Sequence, residues 1–212
     1  MRSSRLAWLF ALVLALLPGS AHAERPHAGR AYGFTASERD ALLGGRTVGR
    51  PVRFERGESG SYIGGVSYQV VRASPAQVIA ALASVESLPR ALPRTESAKL
   101  VSSSGRSATV ELTQGKAPFL VTYSVRLDQE PSGTGLRFWL DPSRPHDVRD
   151  VFGFVRVTPF GPDKSLVTMA VALDMGPGIA RVLFTDRIER IILRAPAKIR
   201  EFVEPVRLTS VR

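Results

Sequence analysis

Residues 178–203 form the stretch that most constrains the fold of this chain. Apolar residues recur there mostly at three- and four-residue steps, which place side chains on one helical face; they are Ile179, Val182, Leu183, Ile188, Ile191, Ile192, Ala195, Ile199, Phe202 and Val203. Charged residues fill the other positions, so the pattern predicts an amphipathic helix with a large apolar partner. At about 1.5 Å per residue it would extend roughly 40 Å. Pro196 predicts a kink or two helices end to end, because an interior proline lacks a backbone donor.

The residues before this helix predict the wide sheet that it needs as a partner. Seven segments have the composition or two-residue alternation of strands, namely residues 63–72, 99–102, 107–113, 119–127, 136–140, 148–157 and 165–173. The turns between the last six are short, which favours antiparallel neighbours. Alternation gives the sheet one apolar face, which carries Val121, Tyr123, Val125, Leu136, Phe138, Leu140 and Met169. The predicted fold class is therefore α+β.

Two helix starts carry local capping signals. Ser74, Pro75 and Gln77 combine a capping serine, a proline at the first helical position and a glutamine three residues after the cap. Pro89 and Pro93 follow, and they predict two short helices or a helix and a loop. In the leader, residues 35–38 match a capping box and predict a short helix. Residues 47–58 predict an edge strand or an extended arm.

The first 23 residues have the pattern of a cleavable secretory signal. Arg2 and Arg5 precede an apolar run at residues 6–17, and Ala21 and Ala23 form a small-residue cleavage site. The run is shorter than the roughly twenty residues that span a bilayer. We expect export, with cleavage after Ala23 and a periplasmic or secreted product; an uncleaved amphipathic anchor is the alternative. The chain has no cysteine, which excludes disulfides and a lipoprotein signal.

The predicted domain order is a signal peptide (1–23), a leader with a short helix and an extended arm (24–60), a main domain (61–206) and a tail (207–212). The formal net charge of +10 falls to +8 without the two signal arginines. This charge is scattered along the chain, and an exported protein meets little nucleic acid, so no nucleic-acid partner is predicted. Transient contact with an anionic membrane surface stays open.

A search for catalytic and metal-binding residues finds none to propose. The histidines after the signal are His27, in the leader, and His146, in a proline-flanked loop. Asp147 and Asp150 near His146 are better explained as a charged loop. Zinc needs three or four converging ligands, and no such set occurs. The chain also lacks a Gly-x-Ser-x-Gly elbow and a phosphate loop. We therefore predict no catalytic set, no metal and no cofactor.

Several short motifs carry a resemblance to a known family. They are residues 74–78 (SPAQV), Leu92-Pro93 before residues 96–101, residues 153–157 (GFVRV) with Pro159, and Val203-Glu204; residues 42–45 (LLGG) match in the leader. With the order strand, helix pair, six strands and long helix, residues 63–206 resemble the START-like, helix-grip or SRPBCC superfamily. The nearest branch is that of polyketide cyclases and coenzyme Q-binding proteins, with an exported bacterial member as the expected type. Phe154 stands where the family often has tryptophan.

The resemblance implies a seven-stranded antiparallel sheet curled around the long helix, with an apolar cavity between them. Family members hold lipids, isoprenoids, polyketides or plant hormones there, some as carriers and some as enzymes. The residues alone favour a packed core, because protein interiors are usually filled; the resemblance favours a hollow one. The predicted ligand-binding residues are Val121, Tyr123, Val125, Leu136, Phe138, Leu140, Met169, Leu183, Ile188 and Ile192. For Tyr123 the alternative is a core tyrosine bonded to the backbone.

The functional prediction is non-catalytic binding or transport of a hydrophobic small molecule. The alternative is a cyclase or aromatase acting on a bound polyketide-like substrate. Absence of an acid–base pair and the export signal favour the carrier, since polyketide assembly is cytoplasmic.

Overall fold

One antiparallel sheet of eight strands forms the centre of the computed structural model, which describes residues 33–57, 60–177 and 179–204. The strands are β1 (Val48–Arg56), β2 (Gly60–Val71), β3 (Thr95–Ser104), β4 (Ser107–Lys116), β5 (Phe119–Gln129), β6 (Gly135–Leu140), β7 (Asp150–Pro159) and β8 (Ser165–Asp174). Their order across the sheet is β1-β2-β8-β7-β6-β5-β4-β3. The predictions for residues 1–23 and 207–212 lie outside the described residues.

The count of eight strands corrects the prediction of seven. The additional strand is β1, which pairs with β2 from Val48 opposite Tyr68 to Arg56 opposite Gly60. Of its residues only Val48 is buried, so the strand lacks the apolar alternation by which strands are recognised. Pro51 is tolerated because β1 is an edge strand. The segment is therefore an edge strand of the same sheet.

Two adjacent glycines let β2 adopt a backbone that other residues disfavour. Gly64 and Gly65 have φ values of 143° and 140°. A Cβ at Gly64 would collide with the carbonyl oxygen of Val171, and one at Gly65 with that of Arg50. Glycines inside strands often mark bends or close backbone approaches. Here they allow β2 to pair closely with β1 on one side and β8 on the other.

Four short helical segments pack against the two faces of the sheet. Helix α1 (Ala36–Leu43) starts with the predicted capping box of Thr35 and Glu38. It lies against the outer face of the sheet, where Phe34 and Leu42 pack with Tyr68 and neighbouring residues. On the inner face lie α2 (Pro75–Ala83), a 3-10 turn (Val85–Ser87) and α3 (Leu88–Ala91). Ser74 and Gln77 form the second predicted capping box.

The C-terminal stretch consists of two helices, as Pro196 indicated. Helix α4 (Ile179–Leu193) ends before Arg194, and α5 (Ala195–Val203) begins immediately after it. Pro196 lies in the first turn of α5, where its missing N–H has no cost. Ile199, on α5, is fully buried in a cluster with Val71 and Val157 of the sheet. None of the helices within the described ranges has both the length and the hydropathy needed to cross a membrane.

The leader is tied to both C-terminal helices by polar contacts. Arg53 of β1 bonds to Asp186 and Glu189 of α4, with nitrogen–oxygen distances of 2.7 Å in each case. The guanidinium of Arg200, on α5, donates to the carbonyl oxygen of Gly45 after α1. The leader and the C-terminal helices are therefore joined directly by hydrogen bonds and ion pairs.

Candidate functional site

A cavity of about 140 Å³ lies between the inner face of the sheet and the helices. Strands β4 to β8 form its floor, and residues around α2, α3 and the break between α4 and α5 cover it. Its lining is almost entirely apolar, consisting of Leu82, Leu88, Leu92, Pro93, Leu112, Gln114, Tyr123, Val125, Leu127, Leu136, Phe138, Val151, Val155, Met169, Val171, Ile191, Ile192 and Ala195. The space between sheet and helices is therefore partly hollow.

Six of the ten predicted ligand-binding residues line this cavity, namely Tyr123, Val125, Leu136, Phe138, Met169 and Ile192. Val121, Leu140 and Ile188 do not. Val121 and Leu140 belong to the same apolar cluster as the lining residues Tyr123 and Val125 but do not reach the cavity, while Ile188 is half-buried on α4. The side chain of Leu183 lies outside the described part of the structure. Alternation assigned the strand residues to the correct face, but it could not say how far along each strand the cavity extends.

The sequence interpretation missed the contribution of β4 and of the loop after α3. Leu112 and Gln114 of β4 line the cavity, as do Leu92 and Pro93. Gln114 shares the inner face with Leu112, so its parity was a usable signal, although a glutamine in a strand ordinarily predicts a solvated position. Leu92 and Pro93 lie in an irregular segment, where no helical or strand periodicity predicts which way a side chain points.

Tyr123 and Gln114 are the two polar side chains among the described residues of the lining. The hydroxyl of Tyr123 donates to Oε1 of Gln114 at 2.5 Å. Nε2 of Gln114 in turn donates to Oγ1 of Thr95 at 2.7 Å. Tyr123 is thus bonded to a side chain rather than to the backbone. Burial raises the pKa of Tyr123 above its ordinary value, so its hydroxyl stays protonated and neutral near pH 7.

The remaining polar candidates lie away from the cavity. His146 is exposed, and the Asp147 carboxylate accepts a hydrogen bond from the backbone N–H of Thr122. Asp150 accepts from the hydroxyl of Tyr62 at 2.7 Å. Across the ranges that the structure describes, no three His, Cys, Asp or Glu residues converge as metal ligands. These aspartates therefore organise the loops and strand ends that carry them.

The volume limits what the cavity can hold. About 140 Å³ is below the roughly 300–1,000 Å³ of common drug-sized pockets. An apolar cavity of about 150 Å³ accommodates a molecule of the size of benzene. The cavity therefore fits one ring or a short branched chain. A longer ligand would extend out through the side of the cavity that is open to solvent.

Helix α4 also contacts the β4–β5 hairpin. The rings of Phe119 and Phe184 lie 5.3 Å apart, centroid to centroid. Phe119 is nevertheless 66% exposed, and its neighbour Leu120 is 41% exposed. This contact buries little apolar surface, so it adds little to the free energy that holds α4 down.

Comparison with known proteins identifies the fold. No family model and no curated protein matches the chain. Among solved structures, the STAR-related lipid transfer protein from Xanthomonas axonopodis is 13% identical, with a TM-score of 0.56, covering 72% of this chain and 98% of that one. The Zhui aromatase/cyclase from Streptomyces sp. R1128 is 15% identical, with a TM-score of 0.54, covering 74% of this chain and 92% of that one. The human StarD13 lipid transfer and protein localization domain is 13% identical, with a TM-score of 0.55, covering 80% of this chain and 95% of that one.

These structures share the antiparallel sheet and C-terminal helix, and at such low identity they establish the fold alone. They include both lipid transfer proteins and an aromatase/cyclase. The fold alone therefore does not separate carriers from enzymes. The protein has the START-like, or SRPBCC, fold that its sequence motifs indicated.

Proposed function

We propose that this protein binds and carries a hydrophobic small molecule without converting it. The observation that supports this most directly is the apolar cavity of about 140 Å³ under the junction of α4 and α5. Protein interiors are ordinarily filled, and each lost contact around a void costs stability. A cavity bounded by a two-part helical cover is best explained as space for a ligand.

The energy available from such a cavity is moderate. Each buried CH₂ is worth roughly 0.8 kcal/mol, so eight buried carbons would gain about 6 kcal/mol before the costs of binding. A dissociation constant of 1 mM corresponds to about 4 kcal/mol and one of 1 μM to about 8 kcal/mol. Small ring compounds should therefore bind with millimolar to tens-of-micromolar affinity. A natural ligand that extends beyond the cavity would bind more tightly.

The alternative function is that of a cyclase or aromatase, and the site chemistry favours it less. Acid–base catalysis needs a group that exchanges a proton near the working pH. Tyr123 is the only residue with a hydroxyl group among the described lining residues, and its pKa is raised by burial, so it is a poor base near neutrality. Tyr123 can still donate a hydrogen bond to a carbonyl. The alternative therefore depends on cavity shape and this one donor.

Native mass spectrometry of protein purified from its own host should reveal a bound apolar compound. Incubation with lipids, isoprenoid quinones and aromatic polyketides should show binding, and the recovered compound should have an unchanged mass. Binding of no member of the panel contradicts the proposal. Recovery of a chemically altered compound contradicts the carrier function and supports the cyclase alternative.

Export is part of this proposal, because residues 1–23 have a signal-peptide pattern. N-terminal sequencing of the protein from its host should give Glu24 as the first residue, and an intact Met1 would contradict export. Contact with an anionic membrane would provide a route for ligand uptake. The net positive charge and the exposed Phe119 and Leu120 near Lys116 support that route.

A further inference from the structure

The two polar side chains in the cavity restrict the chemistry of its ligand. Tyr123 and Gln114 lie on neighbouring strands, β5 and β4, with Tyr123 directly opposite Leu112 and Gln114 two residues farther along. This diagonal relation brings long side chains within reach of each other. Tyr123 is 7% exposed and Gln114 is half-buried; both line the cavity together with aliphatic residues such as Leu112 and Val125.

The hydrogen bonds within the pair leave capacity for a ligand. A glutamine amide has two N–H donors and a tyrosine hydroxyl has two acceptor lone pairs. The bonds recorded in the described structure use one hydrogen of Nε2, toward Thr95, and the hydrogen of the Tyr123 hydroxyl, toward Oε1 of Gln114. The pair can therefore donate one further N–H and accept one further hydrogen bond.

Among the described residues that line the cavity, no side chain carries a charge. Removing an ionised carboxylate from water without a cation partner is strongly unfavourable. A hydroxyl or a carbonyl group has a smaller desolvation cost, and the pair offers each of them a partner. An entirely apolar ligand would leave this remaining capacity unused.

Resting on the proposed carrier function, we infer that the ligand is an uncharged molecule with one hydroxyl or carbonyl group bonded to Tyr123 and Gln114. Its apolar ring or chain fills the rest of the cavity. An ionised fatty acid is excluded from placing its carboxylate at this position. The class that fits is a neutral phenol, alcohol, ketone or quinone-like carbonyl compound.

Four small aromatic probes separate these chemistries: ethylbenzene, 4-ethylphenol, acetophenone and, at pH 7, the slightly larger 4-ethylbenzoate. Met169 lines the cavity, so its isotopically labelled methyl group reports binding directly in NMR titrations. The wild type should bind 4-ethylphenol and acetophenone about three- to tenfold more tightly than ethylbenzene, the range expected for one or two net hydrogen bonds. It should bind 4-ethylbenzoate at least tenfold less tightly than 4-ethylphenol.

The variant Tyr123→Phe/Gln114→Met removes both polar groups while nearly conserving volume. Its affinity for 4-ethylphenol and acetophenone should fall about tenfold, with that for ethylbenzene unchanged within about twofold, because a buried hydroxyl or carbonyl without a partner is penalised. The matched control is Thr113→Val. Thr113 bonds to Thr122 across the same two strands at 3.2 Å and does not line the cavity, so the wild-type ratios should persist.

The outcomes distinguish this inference from the function on which it rests. Equal binding of ethylbenzene and 4-ethylphenol by the wild type, or an unchanged preference in the double variant, overturns the ligand class and leaves the carrier function intact. Tightest binding of 4-ethylbenzoate also overturns it. If none of the four probes shifts the Met169 methyl signal, the cavity does not take ligands of this size, and the inference and the proposed function both fail.

Discussion

Replacement of Ile199 by aspartate should leave the protein largely unfolded at room temperature. Ile199 has no exposed surface and packs from α5 onto the sheet, in one cluster with Ile79 and Val167. Loss of a buried isoleucine side chain costs about 2–5 kcal/mol, and an unpaired buried charge adds several more. Domains of this size are stable by about 5–15 kcal/mol in total. The combined cost should therefore remove most of the stability.

Urea unfolding followed by circular dichroism measures this effect. Glu201→Asp is the matched control, since it places an aspartate on the same helix at a side chain that is 67% exposed. Changes at exposed positions are usually within about 0.5 kcal/mol. If Ile199→Asp and the control unfold at similar urea concentrations, α5 does not pack against the sheet as described.

Replacement of Val125 by tryptophan should abolish ligand binding while the fold persists. Val125 is 3% exposed and lines the cavity from β5. The larger indole should occupy the cavity, at an expected cost of about 1–3 kcal/mol from overpacking. Without space for the ligand, affinity for a compound that binds the wild type should fall at least tenfold, equivalent to about 1.4 kcal/mol.

Titration with a fluorescent quinone or lipid probe, alongside a thermal unfolding curve, checks the expectation. Val52→Trp serves as the control, because Val52 is 46% exposed on β1 and is absent from the cavity lining. Undiminished binding by a folded Val125→Trp protein would place the ligand outside this cavity.

The order of elements and the faces of the strands could be predicted from the sequence, because both depend on local patterns. Two-residue alternation placed Tyr123 and Val125 on the face that lines the cavity. Capping residues fixed the starts of α1 and α2, and Pro196 indicated two helices. These signals depend on a few neighbouring residues, so they can be recognised in a single sequence.

The hollow space and its exact lining could not be predicted in this way. Cavity formation depends on the distance of α4 and α5 from the sheet, and the periodicity of apolar residues carries no information about that distance. Leu140 has the correct parity but does not reach the cavity, and Gln114 was overlooked because a glutamine ordinarily faces water. The sequence could not distinguish strand β1 from an extended arm, because only Val48 among its residues is buried. Its pairing with β2 is determined by the tertiary structure and leaves no local pattern.

The two C-terminal helices differ in how strongly they are anchored. In α5, Ala195, Pro196 and Ile199 are all buried. In the part of α4 whose side chains the structure describes, the apolar residues are only half-buried. The ion pair between Arg53 and Asp186 is largely exposed, with 53% and 80% of the side chains accessible, and exposed pairs contribute at most about 1 kcal/mol. The bond from Arg53 to Glu189 is better shielded, because only 12% of the Glu189 side chain is accessible.

This difference predicts a graded stability along the C-terminal stretch. Separation of α4 from the sheet should require less free energy than global unfolding, since α5 and its buried cluster can remain in place. Sub-global opening of this kind draws on the least stable elements of a protein. We expect the hinge of such a movement at Arg194, and a ligand longer than the cavity would then be admitted while the sheet stays folded.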